Sequence, residues 1–107
     1  MVLYDASMTT ERTSGDKAVK RLAVERPSWL PIVKECLILS KEVTGDFAGA
    51  WVFQRTQKKG LTFPNLRLLV SFGILKKEGT SRAGRRAYYS IIDPEGVEQA
   101  LNELTLI

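Results

Sequence analysis

Residues 61–92 read, in order, as a helix, a Gly-Ile-Leu stop, a basic strand, an Arg/Gly loop and a Tyr-Tyr strand. That order most restricts the architecture. It commits the chain to a mainly helical α+β domain carrying one β-hairpin. The same region concentrates the positive charge. Between Arg55 and Arg86 stand nine Lys or Arg (Arg55, Lys58, Lys59, Arg67, Lys76, Lys77, Arg82, Arg85 and Arg86) against one acid, Glu78. The stretch therefore carries +8, whereas the whole chain carries +4 and the remainder −4. Charge gathered into one structural module points to a surface that meets a polyanion.

A chain of 107 residues supports one domain with one core. Its 44% hydrophobic and 26% charged residues suit an ordinary soluble globular protein, and no apolar run reaches the roughly 18 residues of a membrane span. Met1-Val2-Leu3-Tyr4-Asp5 lacks the basic-then-apolar order of a signal peptide. The single cysteine, Cys36, excludes an internal disulfide and reads as a small buried hydrophobe. The expectation is a cytoplasmic protein without membrane contact. Histidine is absent, which removes the commonest general base, and one Cys without His excludes the usual zinc sets. There is no G-x-S-x-G and no G-x-G-x-x-G. Residues 79–86 space two glycines like a phosphate-binding loop, but they lack the Lys-Ser/Thr pair and join two strands. Asp46, Glu42 and Glu78 show no pairing suited to acid–base chemistry, so neither an enzyme nor a cofactor is expected.

Residues 1–14 are polar, Thr-rich and aperiodic, and read as a flexible tail before a single domain over 15–107. Ser14 can cap a helix over 16–25 whose Ala18, Val19, Leu22 and Ala23 share a face, and Pro27 stops or bends it. Ser28 is the expected cap of the next helix, with Pro31 in its first turn. Its stripe is Leu30, Val33 and Leu37, widened by Cys36, Leu39 and Val43. Thr44-Gly45-Asp46 ends that helix and caps another over 46–56, with Phe47, Ala50, Trp51 and Phe53 as a bulky core-facing surface. Thr62 caps a helix over 63–72 that holds Pro64 in its first turn, turns Leu66, Leu69 and Val70 to the core and stops at Gly73. Strands follow over 74–78 and 86–92, with a loop between them. Asp93-Pro94 opens a last helix whose Val97, Ala100, Leu101 and Leu104 share a face.

Three helices and a basic hairpin over 28–92 resemble a winged helix-turn-helix domain, here with flanking N- and C-terminal helices. The sharpest likeness is Gly73, with Leu69 and Leu66 four and seven residues before it and Ile74-Leu75 after it. Tyr88-Tyr89-Ser90-Ile91-Ile92 then matches the aromatic-then-aliphatic strand that closes the wing. The resemblance implies that the helix over 63–72 is a recognition helix for the major groove and that the helix over 46–56 supports it. It also implies a wing tip over 79–86 on the backbone or in the minor groove. The expected function is duplex DNA binding as a small transcriptional regulator. The alternative is a protein-interaction module using Leu68, Val70 and Phe72.

On the first reading Asn65 and Arg67 face bases from a helix that also presents Ser71; Lys58, Lys59, Lys76 and Lys77 hold phosphates; and Ser81, Arg82, Arg85 and Arg86 contact phosphates or a narrow minor groove. Each has a plainer reading. Lys76 and Lys77 guard an edge strand, Lys58 and Lys59 complement a helix end, Arg67 joins a surface ion pair, and the arginines form a solvated hairpin tip. Tyr88 and Tyr89 are adjacent on a strand and point to opposite faces, so they do not form one stacking platform; Tyr89, with Ala87 and Ile91, is expected to face the core. A module of this size needs a second copy for affinity, and the apolar faces of the two outer helices are the expected homodimer contact.

Overall fold

The computed structural model describes residues 14–80 and 86–104. The expected tail lies outside them apart from Ser14, and so do Ser81, Arg82 and Arg85 of the expected wing tip. In chain order the elements are α1 (Ser14–Glu25), a 3-10 turn (Pro27–Trp29), α2 (Leu30–Val43), β1 (Phe47–Ala48), α3 (Gly49–Lys58), α4 (Arg67–Ser71), β2 (Leu75–Thr80), β3 (Ala87–Ile91) and α5 (Pro94–Glu103). The strands form one antiparallel sheet in the order β1-β3-β2. The α+β class with a β2–β3 hairpin is as the sequence implies.

α2 supplies the centre of the core. Its Val33, Cys36 and Leu37 belong to one buried cluster with Phe47, Val52, Leu66, Leu69, Ile74 and Leu75, all at most 2% exposed. α1 and α5 pack on each other, and their apolar residues Val19, Leu22, Val97, Ala100 and Leu101 are fully buried. The faces expected to join two copies are thus consumed inside one chain. The helical periodicity is as expected, but its partner is the neighbouring helix.

Local expectations are corrected at several points. Ser28 does not cap α2. The Pro27–Trp29 turn runs straight into the helix, Leu30 N–H bonds back to Pro27 O, and Trp29 precedes the helix without a side-chain cap. Second, the helix expected over 46–56 begins only at Gly49. Thr44 takes the left-handed conformation that ends α2 (φ 50°), after which Phe47 and Ala48 extend and pair with Tyr89 and Tyr88. Burying the Phe47 ring while bonding its backbone to β3 overrides local helix preference. α3 consequently turns Val52 and Thr56 inward, leaving Ala50 exposed and Phe53 41% exposed.

Third, the helix expected over 63–72 contracts to Arg67–Ser71. Pro64 disfavours helical geometry at Phe63. The Asn65 side chain accepts the Arg67 N–H at 2.8 Å, an Asx-type turn that starts the helix late. The stop at Gly73 is as expected, with φ at 84°. Gly73 N–H bonds to Val70 O and Ile74 N–H to Leu69 O, each at 3.0 Å, the paired closure of a Schellman motif. Ile74 and Leu69 are both fully buried there.

β2 runs on through Gly79 and Thr80, which pair with Tyr88 and Ala87, so these two residues belong to the hairpin ladder and not to a loop. Glu78 is the extra residue of a bulge between the Lys77 and Gly79 pairs. Tyr89 packs on the core and Ile91 is buried, while Tyr88 sits edge-on to Trp51 with ring centroids 6.0 Å apart.

Candidate nucleic-acid interface

The shortness of α4 shapes the face between the helices and the hairpin. Residues 63–66 leave helical geometry, and two clefts open beside them. The larger, about 280 Å³, lies between the start of α3 and the start of β3; Phe53, Phe63, Asn65, Arg86 and Tyr89 are among its walls. The smaller, about 160 Å³, is lined by Asn65, Arg67, Val70, Lys77 and Tyr89. Asn65 and Tyr89 line both. Gly49 lets the Tyr89 ring approach the start of α3, since a Cβ there would stand 3.1 Å from the ring edge.

This arrangement brings together four of the residues singled out from the sequence. Asn65, Arg67 and Lys77 share one cleft, and Arg86 joins Asn65 in the other. Among the described residues, neither cleft is lined by an acid. The Arg86 guanidinium also lies 5.9 Å from the centroid of the Trp51 ring. Lys76 precedes Lys77 on β2, points to the other side of the strand and lines neither cleft. Ser71 donates its hydroxyl to Leu68 O at 2.7 Å, a back-bond within α4. Ser81, Arg82 and Arg85 fall outside the described residues.

Lys58 and Lys59 sit elsewhere, around a hollow of about 200 Å³ shared with Glu35 and Arg55. Glu35, on the inner face of α2, is 2% exposed. Lys59 Nζ reaches its Oε2 at 2.7 Å and Arg55 Nε its Oε1 at 3.1 Å, while Arg55 Nη1 also meets Glu42 at 3.2 Å. Burial pushes the Glu35 carboxyl up, but the Lys59 and Arg55 hydrogen bonds and charges outweigh it and hold the group below its ordinary value. Two of the nine cations in the basic stretch therefore compensate a buried acid. Lys58 remains exposed and makes no ion pair among the described residues.

The apolar residues of the interaction-module reading do not form an open surface. Leu68 and Val70 are half-buried against the core, and Phe72 is 9% exposed beneath the Arg21 guanidinium, 4.5 Å from its ring centroid. The sequence reading missed the roles of Phe53, Phe63 and Tyr89 as cleft walls. The available signal was Phe63-Pro64-Asn65, in which proline and an Asx turn both oppose an early helix start. Comparison of the chain with protein-family models, curated proteins and solved structures gave no match.

Proposed function

We propose that the chain is a winged helix-turn-helix domain that binds duplex DNA as a small transcriptional regulator, with α4 toward the major groove and the β2–β3 hairpin as the wing on the backbone. The observation that carries this reading is the convergence of Arg67 from α4, Lys77 from β2 and Arg86 just before β3 around Asn65, on a face whose clefts are lined by no acid among the described residues. The order helix, short strand, two helices, hairpin, with β1 and β2 flanking β3, supports it at the level of fold. So does the Leu66, Leu69, Gly73 arrangement, which seats α4 on the core.

At 1.5 Å per residue, a five-residue helix is only about 7.5 Å long. It offers few side chains to base edges, so affinity rests mainly on phosphate contacts and falls steeply with salt. A second copy would add affinity; since the apolar faces of α1 and α5 are buried, it would have to dock through other surfaces. Mobility shifts on duplex DNA at low salt test the proposal directly. Binding that weakens with added salt, and weakens further in Arg67→Ala, Lys77→Ala and Arg86→Ala, is the expected result; no shift at low salt overturns it.

A further inference from the structure

We propose that the cleft beside Asn65 receives an unpaired base, so that this face prefers a duplex adjoining a single strand over a blunt duplex. The inference builds on the DNA-binding reading above and specifies the form of DNA.

Shape is the first argument. A major-groove reader presents a convex helix to a groove about 12 Å wide. Here Phe63, Pro64 and Asn65 stand outside α4, and the face between α3 and β3 is hollow. The hollow is walled by rings. Phe53 comes from α3, Phe63 from the segment before α4 and Tyr89 from β3. Phe53 and Phe63 meet edge-on with centroids 5.8 Å apart, and Trp29 backs Phe63 at 5.8 Å, which holds the aromatic wall in place. Phe53 is nevertheless 41% exposed, a large apolar ring open to solvent at the cleft.

The polar groups suit the same occupant. The Arg67 N–H bond engages the Asn65 oxygen, which orients the amide and leaves its NH₂ as donor for a base edge. Arg86 at this cleft and Arg67 and Lys77 at the adjoining one complement the phosphates on either side of an inserted nucleotide. At about 280 Å³ the cleft lies just below the roughly 300–1,000 Å³ typical of drug-sized ligands. It accommodates one ring system with its strand leading out to solvent.

Stacking one base on an aromatic side chain is worth roughly five- to 150-fold in affinity. The test uses three labelled duplexes of one sequence: blunt, with a short single-stranded extension, and with the same extension made abasic. The last two carry equal phosphate charge, so fluorescence anisotropy at fixed low salt isolates the base. The base-bearing extension is expected to bind at least about fivefold tighter than the abasic one. Ala50→Leu places a larger side chain at an exposed helical position lining the cleft and is expected to abolish that difference while blunt-duplex affinity stays within about twofold. Phe53→Ala, which removes one ring, is expected to reduce the difference and decides the matter if Ala50→Leu does not fold. Equal affinity for the base-bearing and abasic extensions overturns the inference, as does a preference that survives in a folded Ala50→Leu protein. Blunt-duplex binding without a base effect removes this inference alone. Binding only to the base-bearing extension removes the duplex reading and leaves this one standing.

Discussion

The backbone N–H of Gly15 donates to Oδ2 of Asp93 at 3.0 Å, across 78 residues of sequence. The other oxygen of the same carboxylate accepts the N–H of Gly96 at 3.2 Å, so one side chain serves the first turns of both α1 and α5. Negative charge is favourable at both helix starts. The approach is close because residue 15 has no side chain: a Cβ there would lie 2.6 Å from Asp93 O and 3.0 Å from Val97 N. Asp93→Ala is therefore expected to lower the unfolding free energy by about 2–3 kcal/mol, roughly two lost caps. Gly15→Ala is expected to cost about 1–3 kcal/mol although alanine is the better helix former, because the obstacle is backbone. Urea denaturation followed by circular dichroism measures both.

Glu35 predicts an acid-side loss of stability. Its carboxyl is held below the ordinary value in the folded chain, so the unfolded state binds its proton more readily. The contribution is present above the unfolded value of about 4.3 and is lost as pH falls from there through the depressed folded value. In Glu35→Gln the dependence of the urea midpoint on pH across that window is expected to flatten. An unchanged profile would mean that the carboxylate is not tied to Lys59 and Arg55 in solution.

The two lysines Lys59 and Lys77 are expected to part company on mutation. Lys59→Ala removes one hydrogen bond from buried Glu35 and should destabilise by about 1–2 kcal/mol, with the salt dependence of the proposed DNA binding unchanged. Lys77→Ala, on the exposed hairpin face, should leave stability within about 0.5 kcal/mol and reduce the slope of log affinity against log salt by about one. Thermal melts and anisotropy titrations at several salt concentrations separate the two effects.

Cys36 should resist thiol reagents in the folded protein. Burial, and secondarily the nearby Glu35 charge, push its thiol well above the ordinary range, and it is fully enclosed. The rate of colour development with an aromatic disulfide reagent is expected to follow the urea unfolding curve. Rapid labelling in native buffer would show that α2 opens locally.

Much of the fold is local information. The stripes of α1, α2 and α5, the stop at Gly73 and the cap at Asp93 are legible because helical period, a left-handed glycine and an Asp-Pro pair act over a few residues. The basic character of the hairpin and the candidacy of Asn65, Arg67, Lys77 and Arg86 are legible for the same reason: charge and residue type are properties of the sequence. Their convergence on one face is not, because it depends on how far α4 extends and where β3 runs.

What the sequence by itself determined is therefore the kind of element at most positions and the sign of the exposed charge. The tertiary structure decided which element meets which. It drew Phe47 and Ala48 into a strand, because the distant Tyr89 and Tyr88 backbone pairs with them. It turned α1 and α5 onto each other, closed by Asp93. It also assigned Arg55 and Lys59 to Glu35, because a carboxylate taken out of water must be paired. Each of these outcomes rests on contacts between residues far apart in the chain, where burial and hydrogen-bond satisfaction outweigh local preference.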